Sequence, residues 1–128
     1  MTRFAIDHVH LRSPDPERAA GLYAEMFGAK PAGRMQNGAA LRVVMDLGGL
    51  PLFIEQVPAG TASPPAPPFL GVEHIGLAVE DMDAAVAELR RKGAEFVVEP
   101  NSPRPGVKLA FIQGPDGVRI EIIQRSAV

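Results

Sequence analysis

The sequence predicts an α+β fold built from two βαβββ modules in tandem. The stretch IDHVHLR at residues 6–12 returns in varied form as VEHIGLA at residues 72–78. One constant spacing joins matching positions along both halves: His8 with His74, Asp15 with Asp81, Gly48 with Gly114, and Glu55 with Glu121. In each half a strand pattern precedes a helix pattern, and further strand patterns follow it. Two copies are too few for a solenoid, so we expect one module used twice in a single domain, residues 1–128.

The composition is that of an ordinary globular domain. The chain has 128 residues, of which 46% are hydrophobic and 22% charged, and its formal net charge is −2. This balance argues against general affinity for nucleic acid or an anionic membrane. The absence of cysteine excludes disulfides and thiolate metal sites. No signal-peptide pattern or membrane-spanning apolar run is present, so we expect a cytoplasmic protein.

The first module is predicted over residues 1–57. Residues 4–12 form a strand pattern, and a helix follows with Asp15 as N-cap and Pro16 at its first position. Gly28 ends that helix. Residues 39–47 and 51–57 are predicted as two strands around a Gly-Gly turn.

Residues 58–71 are predicted as a linker, because their prolines remove backbone donors and favour extended chain. The second module, residues 72–128, repeats the plan. Asp81 caps its helix and Gly93 ends it. Strands are predicted over 71–79, 94–99, 106–113 and 117–124, the last two around the turn Gly114-Pro115-Asp116-Gly117.

The repeated histidine and glutamate are the candidate site. Each module places a His near the start of its first strand and a Glu in its last strand, among apolar neighbours. A carboxylate inside an apolar strand is costly to bury unless a cation meets it. Together, His8, Glu55, His74 and Glu121 make a plausible ligand set for a divalent first-row metal. The alternative is that these are ordinary structural residues preserved by the repeat, with the glutamates on a solvated sheet face.

Two further side chains share the predicted strand face of His8. His10 is a candidate substrate-binding residue, either as an auxiliary base or as a pocket wall. Arg12 is the second, because a guanidinium can hold a carboxylate with two hydrogen bonds; a strand-end arginine that extends to water is the alternative. The second module has Gly76 and Ala78 at the corresponding positions, so the two modules differ beside the predicted site.

The pattern resembles the vicinal oxygen chelate superfamily, which includes glyoxalase I, methylmalonyl-CoA epimerase, extradiol dioxygenases, and fosfomycin and bleomycin resistance proteins. The resemblance covers essentially the whole chain. It is strongest in GVEHIGLAVEDMDAAVAELRRKGAEF and LAFIQGPDGVRIEII of the second half. It implies two modules that form a curled mixed sheet around a central metal site, with the helices outside, and it implies a homodimer.

The ligand pattern is most similar to that of bacterial glyoxalase I, whose order is His, Glu, His, Glu. Arg12, four residues after the first His, matches an arginine that contacts a glutathione carboxylate in that enzyme. Two positions depart from it: Ala59 stands where some glyoxalases have an asparagine that contacts glutathione, and Leu70 stands where some have an arginine.

The resemblance implies a lyase or isomerase that moves a proton through an enediolate, on a hemithioacetal or a related 2-oxo substrate. Glu121 is then the catalytic base, with Glu55 able to take the mirrored role. One divalent ion per site is implied, with Ni, Co, Zn, Mn and Fe all suited to the ligands. Two alternatives remain open: an epimerase for another acyl thioester or 2-oxo substrate, and a metal-free small-molecule binding or resistance protein.

Overall fold

The computed structural model of the protein describes residues 1–126. Its chain forms two compact units, of which the first is Met1–Ala62 and the second begins at Ser63. The boundary falls inside the predicted linker. No helix in the described part of the chain has the length and hydropathy needed to cross a membrane.

The first unit is a mixed four-stranded sheet with one helix. Its elements are β1 (Val9–Ser13), α1 (Pro16–Phe27), β2 (Lys30–Asn37), β3 (Ala40–Leu47) and β4 (Leu50–Gln56). The strand order is β1-β4-β3-β2. β1 runs parallel to β4, whereas β3 is antiparallel to both β4 and β2. The helical crossover through α1 is what brings the first strand beside the last.

The second unit repeats this architecture. Its elements are β5 (Ile75–Ala78), α2 (Met82–Arg91), β6 (Phe96–Arg104), β7 (Val107–Gln113), a short 3-10 turn (Pro115–Gly117) and β8 (Arg119–Arg125). The order is β5-β8-β7-β6, with β5 parallel to β8. The predicted tandem βαβββ fold is therefore confirmed. β2 has no counterpart among the predicted strands, and all eight of its residues are exposed.

Both helices begin where the sequence predicts. The carboxylate of Asp15 accepts a hydrogen bond from the Arg18 backbone N–H, and that of Asp81 accepts one from Ala84, each at 3.1 Å. These bonds satisfy donors that the first helical turn leaves free. Gly28 ends α1 in the left-handed region at φ 71°, a conformation that glycine adopts without steric cost.

Alternation along the strands separates a core face from a site face. In the first unit most of the buried apolar residues come from α1, β3 and β4: Ala19, Ala20, Tyr23, Val43, Met45, Leu47, Leu52 and Ile54. In the second they come from α2, β7 and β8: Met82, Leu89, Ala110, Ile112, Ile120 and Ile122. Since successive strand residues point to opposite faces, Glu55 and Glu121 lie on the sheet faces away from these cores.

The two modules differ in their last hairpin. In the first, Leu47 pairs with Leu50 across Gly48 and Gly49. In the second, Gln113 pairs with Arg119 across a longer turn, positions 114 to 118. Gly48 and Gly114 are thus not structurally equivalent, although the repeat aligns them in sequence. As a result Glu55 is paired in register with Arg42, whereas Glu121 is paired with Phe111.

The first strand of each module is shorter than predicted. β1 begins at Val9 and β5 at Ile75, so residues 4–8 and 71–74 precede the strands. His8 and His74 therefore occupy matching places, each immediately before the first strand of its unit. Pairing with the last strand starts only after them, which leaves both imidazoles at a sheet end.

Candidate functional site

The second unit brings its predicted His and Glu together. His74 Nε2 lies 3.5 Å from Glu121 Oε1, and the Glu121 side chain is only 15% exposed. His74 precedes β5, and Glu121 lies in β8, the parallel neighbour of β5. The pairing of these strands therefore creates the contact.

Glu73 and Arg119 surround the other side of the imidazole. Glu73 Oε2 is hydrogen-bonded to His74 Nδ1, and Arg119 donates to Glu73 Oε1. The hydrogen bond to His74 lowers the pKa of Glu73, and the positive charge of Arg119 lowers it further. The ring of Phe111 meets the His74 ring edge-on, with centroids 4.9 Å apart. Arg119 in turn lies over Phe111.

Glu55 in the first unit is bound by an arginine that the sequence analysis did not select. Arg42 Nε donates to Glu55 Oε1 at 2.8 Å, and Arg42 Nη2 lies 2.6 Å from the same oxygen. The hydrogen bond from Arg42 lowers the pKa of Glu55. Arg42 thus binds one oxygen of this carboxylate, Oε1. Among residues 1–126, no hydrogen bond to the other oxygen, Oε2, is found.

His8 stands among a different set of neighbours. Its Nδ1 lies 2.6 Å from Asp7 Oδ2. Its ring stacks face to face on Phe53, with centroids 4.0 Å apart and planes 5° from parallel. An acidic residue therefore contacts Nδ1 of the candidate histidine in both units, and an aromatic ring packs against each imidazole.

The register places His10 and Arg12 beside the first glutamate. Arg12 is paired with Glu55, and His10 with Phe53, on β1 and β4. In the second unit, the residue paired with Glu121 is Gly76. His10 thus stands two residues before the partner of its glutamate, as His74 does. By sequence spacing His8 matches His74, whereas by strand register His10 does.

The geometry of the second unit is compatible with a metal ion. Two donor atoms at about 2.1 Å from one first-row ion stand about 3.0 to 3.5 Å apart for angles between right and tetrahedral. The 3.5 Å separation of His74 Nε2 from Glu121 Oε1 meets this condition. Within residues 1–126 no group of three or more His, Asp or Glu side chains is gathered as a metal site. What each unit presents is an imidazole and a carboxylate on the face opposite its core.

Four contact residues were missed by the sequence analysis: Asp7, Arg42, Glu73 and Arg119. The acids had a detectable pattern, because one stands directly before the His in both copies of the repeat. Arg42 had none. Lys108 is its counterpart in the repeat, but the longer hairpin turn places Phe111 opposite Glu121 instead.

These features define a class of protein. Two βαβββ units, each with a His before its first strand and a Glu in its last, form the architecture of the vicinal oxygen chelate fold. The chain belongs to the glyoxalase/bleomycin resistance protein/dioxygenase superfamily, whose family model matches residues 5–122.

Individual proteins are similar to this chain in sequence or in fold. A probable lactoylglutathione lyase of Synechocystis sp. is 41% identical over 58 residues, which cover 44% of this chain and 44% of that protein. The uncharacterized protein YwbC of Bacillus subtilis is 29% identical over 94% of this chain and 97% of its own length. A glyoxylase/bleomycin resistance protein/dioxygenase domain from Frankia sp. superposes with a TM-score of 0.79 at 20% identity, covering 98% of this chain and 100% of the other. That last similarity concerns the fold alone.

Proposed function

We propose that the protein is a metal-dependent lyase or isomerase of glyoxalase I type. Its substrate class is a hemithioacetal or a related 2-oxo compound. His8, Glu55, His74 and Glu121 would hold one divalent ion. The observation that carries the proposal is the His74–Glu121 pair, with Nε2 and Oε1 3.5 Å apart on the face away from the core. Membership of the superfamily and the partial match to a probable lactoylglutathione lyase support it.

Glu121 is proposed as the catalytic base. When bound, the ion would polarise the substrate's oxygens and stabilise negative charge that develops on them. Glu121 would take the proton from the carbon next to the carbonyl and return it to the adjacent carbon. Among residues 1–126, the only cation-forming side chain that contacts this carboxylate is His74. Glu55, by contrast, is ion-paired with Arg42, which favours its charged form and makes it the weaker base.

The first unit would supply substrate contacts. His10 and Arg12 lie on the exposed side of β1. Arg12 makes no ion pair with another residue of 1–126, so its guanidinium is available to an anionic group. A carboxylate on the substrate is the group that such a donor holds best.

Exchange of Glu121 for Gln tests the assignment. The amide keeps the shape of the side chain but cannot accept the proton. We expect turnover of the methylglyoxal–glutathione hemithioacetal by the metal-loaded protein to fall about 10²- to 10⁴-fold. Glu88→Gln is a matched control, because the exposed Glu88 side chain pairs with Lys92, just after α2, rather than with a candidate ligand. Near-full activity in Glu121→Gln would refute the role of Glu121 as base.

An epimerase for another acyl thioester or 2-oxo substrate is the second candidate function. It is favoured by Ala59 and Leu70, which stand where some glyoxalases contact glutathione. Leu70 is fully exposed. A comparison of glutathione-based and other thioester substrates separates the two, since turnover of only the latter would select the epimerase. A metal-free binding protein would turn over neither and bind no ion.

The assembly and location complete the proposal. We infer a homodimer in the cytoplasm, with a small molecule as the ligand. Light scattering on purified protein tests the dimer: the mass of two chains is expected, and the 13.6 kDa of one chain would contradict it.

A further inference from the structure

The acid that precedes each candidate histidine has no role in the function proposed above. In the second unit, Glu73 contacts His74 through Nδ1, while Nε2 of the same ring faces Glu121. A neutral imidazole carries its proton on one nitrogen only, and the hydrogen bond of one nitrogen decides which. A carboxylate acceptor at Nδ1 places the proton there and leaves the lone pair on Nε2.

We propose that Glu73 is a positioning residue that fixes His74 in the Nδ1–H tautomer, with Arg119 holding Glu73 in place. The proposal rests on the metal-binding role of His74. Metal binding benefits because the tautomer and the ring orientation that expose the Nε2 lone pair are already fixed before the ion arrives. Carboxylates that orient metal-binding histidines in this way commonly change metal affinity 10- to 100-fold when they are removed.

Arg119 makes Glu73 a fixed partner rather than a mobile one. It comes from β8, two residues before Glu121, and donates to the oxygen of Glu73 that does not contact His74. Its guanidinium also lies over Phe111, 4.8 Å from the ring centroid. The Arg119 side chain is 20% exposed. An arginine of β8 that itself packs over Phe111 of β7 thus restricts the carboxylate, so little conformational entropy is lost when it orients the imidazole.

Asp7 makes the same kind of contact in the first unit but lacks this support. Its oxygen lies 2.6 Å from His8 Nδ1, and its side chain is 87% exposed. Phe53 is the residue of the first unit that the repeat aligns with Arg119. The repeat therefore carries the acid–histidine contact twice, and among residues 1–126 a cationic anchor is found only in the second copy. Loss of Asp7 should matter less than loss of Glu73.

The tautomer is directly measurable. Long-range ¹H–¹⁵N spectra of uniformly ¹⁵N-labelled protein, taken at about pH 9 where free imidazole is neutral, distinguish a protonated from an unprotonated ring nitrogen. We expect His74 to carry its proton on Nδ1 in the wild type and to populate both tautomers in Glu73→Gln. A proton on Nε2 in the wild type would overturn the proposal whether or not the protein binds metal.

Metal affinity gives the second measurement. Titration of the full chain with Co²⁺, followed by its visible absorption, should show a 10- to 100-fold weaker Kd for Glu73→Gln. Glu73→Asp should recover part of the loss, and Asp7→Asn should cost less than Glu73→Gln. The matched control is Glu99→Gln, which also removes a glutamate–arginine pair, the one with Arg90. In the part of the chain that the structure describes, Glu99 pairs with no candidate ligand.

The outcomes separate this inference from the proposed function. If the wild type binds Co²⁺ and the Kd of Glu73→Gln is within about twofold of it, the role of Glu73 is overturned while the metal site stands. Failure of the wild type to bind Co²⁺ would overturn the proposed function, and the tautomer spectra would still decide the role of Glu73. If Glu73→Gln does not fold, Arg119→Met replaces it in the tautomer experiment. Partial loss of the Nδ1–H tautomer of His74 is then expected. An unchanged tautomer would contradict the role of Arg119 in holding Glu73.

Discussion

Gly76 lies beside Glu121, paired with it in register on the neighbouring parallel strand, and a Cβ atom on Gly76 would stand 3.3 Å from Glu121 Oε1. In the first unit the residue in that position is Arg12, beside Glu55. Glu55 also carries Arg42 on its other side, from β3. The two glutamates of the repeat therefore have opposite surroundings, since cationic side chains flank Glu55 and the space left by a glycine adjoins Glu121.

The space beside Glu121 gives the first prediction. Gly76→Val should lower kcat/KM of the metal-loaded protein about 10- to 100-fold, because the added side chain displaces a carboxylate that must be held accurately. Gly76→Ala should have a smaller effect, since only a shift of a few tenths of an ångström is needed. Ala78→Val, two residues along β5 and paired with Ile123, is the matched control. Wild-type kinetics in Gly76→Val would show that this space is not used.

Arg42 predicts a pH-dependent part of the stability. Arg42 lowers the pKa of Glu55 in the folded protein. The pair therefore contributes its full stabilisation at pH values above the ordinary pKa of a glutamate in the unfolded chain. That contribution is lost as the pH falls through the lowered folded-state value. Arg42→Met should therefore lose less stability on acidification than the wild type does. Denaturant unfolding between about pH 3 and pH 7, an interval that includes the ordinary carboxyl pKa values, measures this loss.

The control for Arg42 is Arg34→Met, because Arg34 pairs with Glu17 where both side chains are more than half exposed. An exposed pair of this kind contributes little to stability. Acid sensitivity that is unchanged in Arg42→Met, or equally reduced in both variants, would contradict the assigned cause.

Metal binding predicts a rise in melting temperature. An ion that binds only the folded state, at a free concentration of about 100 times its Kd, stabilises that state by about 2.7 kcal/mol. We expect Ni²⁺, Co²⁺ or Zn²⁺ to raise the Tm of the wild type in a calorimetric scan. His8→Ala and His74→Ala should lose most of this rise, and His10→Ala should keep it. If His10→Ala loses it and His8→Ala does not, the strand register rather than the sequence spacing identifies the ligand.

Shortening the side chain of Ile120 tests how much a cavity next to the candidate site lowers the free energy of unfolding. Its side chain is fully buried and it directly precedes Glu121 in β8. Ile120→Ala should reduce the free energy of unfolding by about 2–5 kcal/mol, from lost burial and the cavity left behind. Ile123→Ala, which is only half-buried, should cost less. Equal costs in urea unfolding would contradict the division between core face and site face.

The fold was largely readable because the features that determine it are local. The caps Asp15 and Asp81 and the glycine after α1 act within one helical turn. The repeat then supplied the tandem architecture. β2 was missed because its sequence KPAGRMQN lacks the alternation of a half-buried strand, and all its residues are exposed.

The site was only partly readable because its contacts depend on pairing between strands. The partner of Glu55 is set by the length of a hairpin turn, which fixes Arg42 opposite it. In the second hairpin the same number of residues pairs in a different register, with a longer turn, and this places Phe111 opposite Glu121. Spacing along the sequence identifies His8 and His74 as equivalent, but it does not reveal the two-residue difference in parallel register that puts Arg12 beside Glu55. Register is a property of the assembled sheet.

The metal content of untagged protein tests the central claim most directly. Wild type and a Glu55→Ala/Glu121→Ala double variant would be equilibrated with Ni²⁺, Co²⁺ and Zn²⁺, dialysed, and analysed by mass spectrometry. The proposed four-ligand site predicts about one tightly bound ion per chain in the wild type and loss of that ion in the variant, since two of the four ligands are gone. Equally weak binding by both proteins would contradict the metal site and leave a small-molecule binding fold.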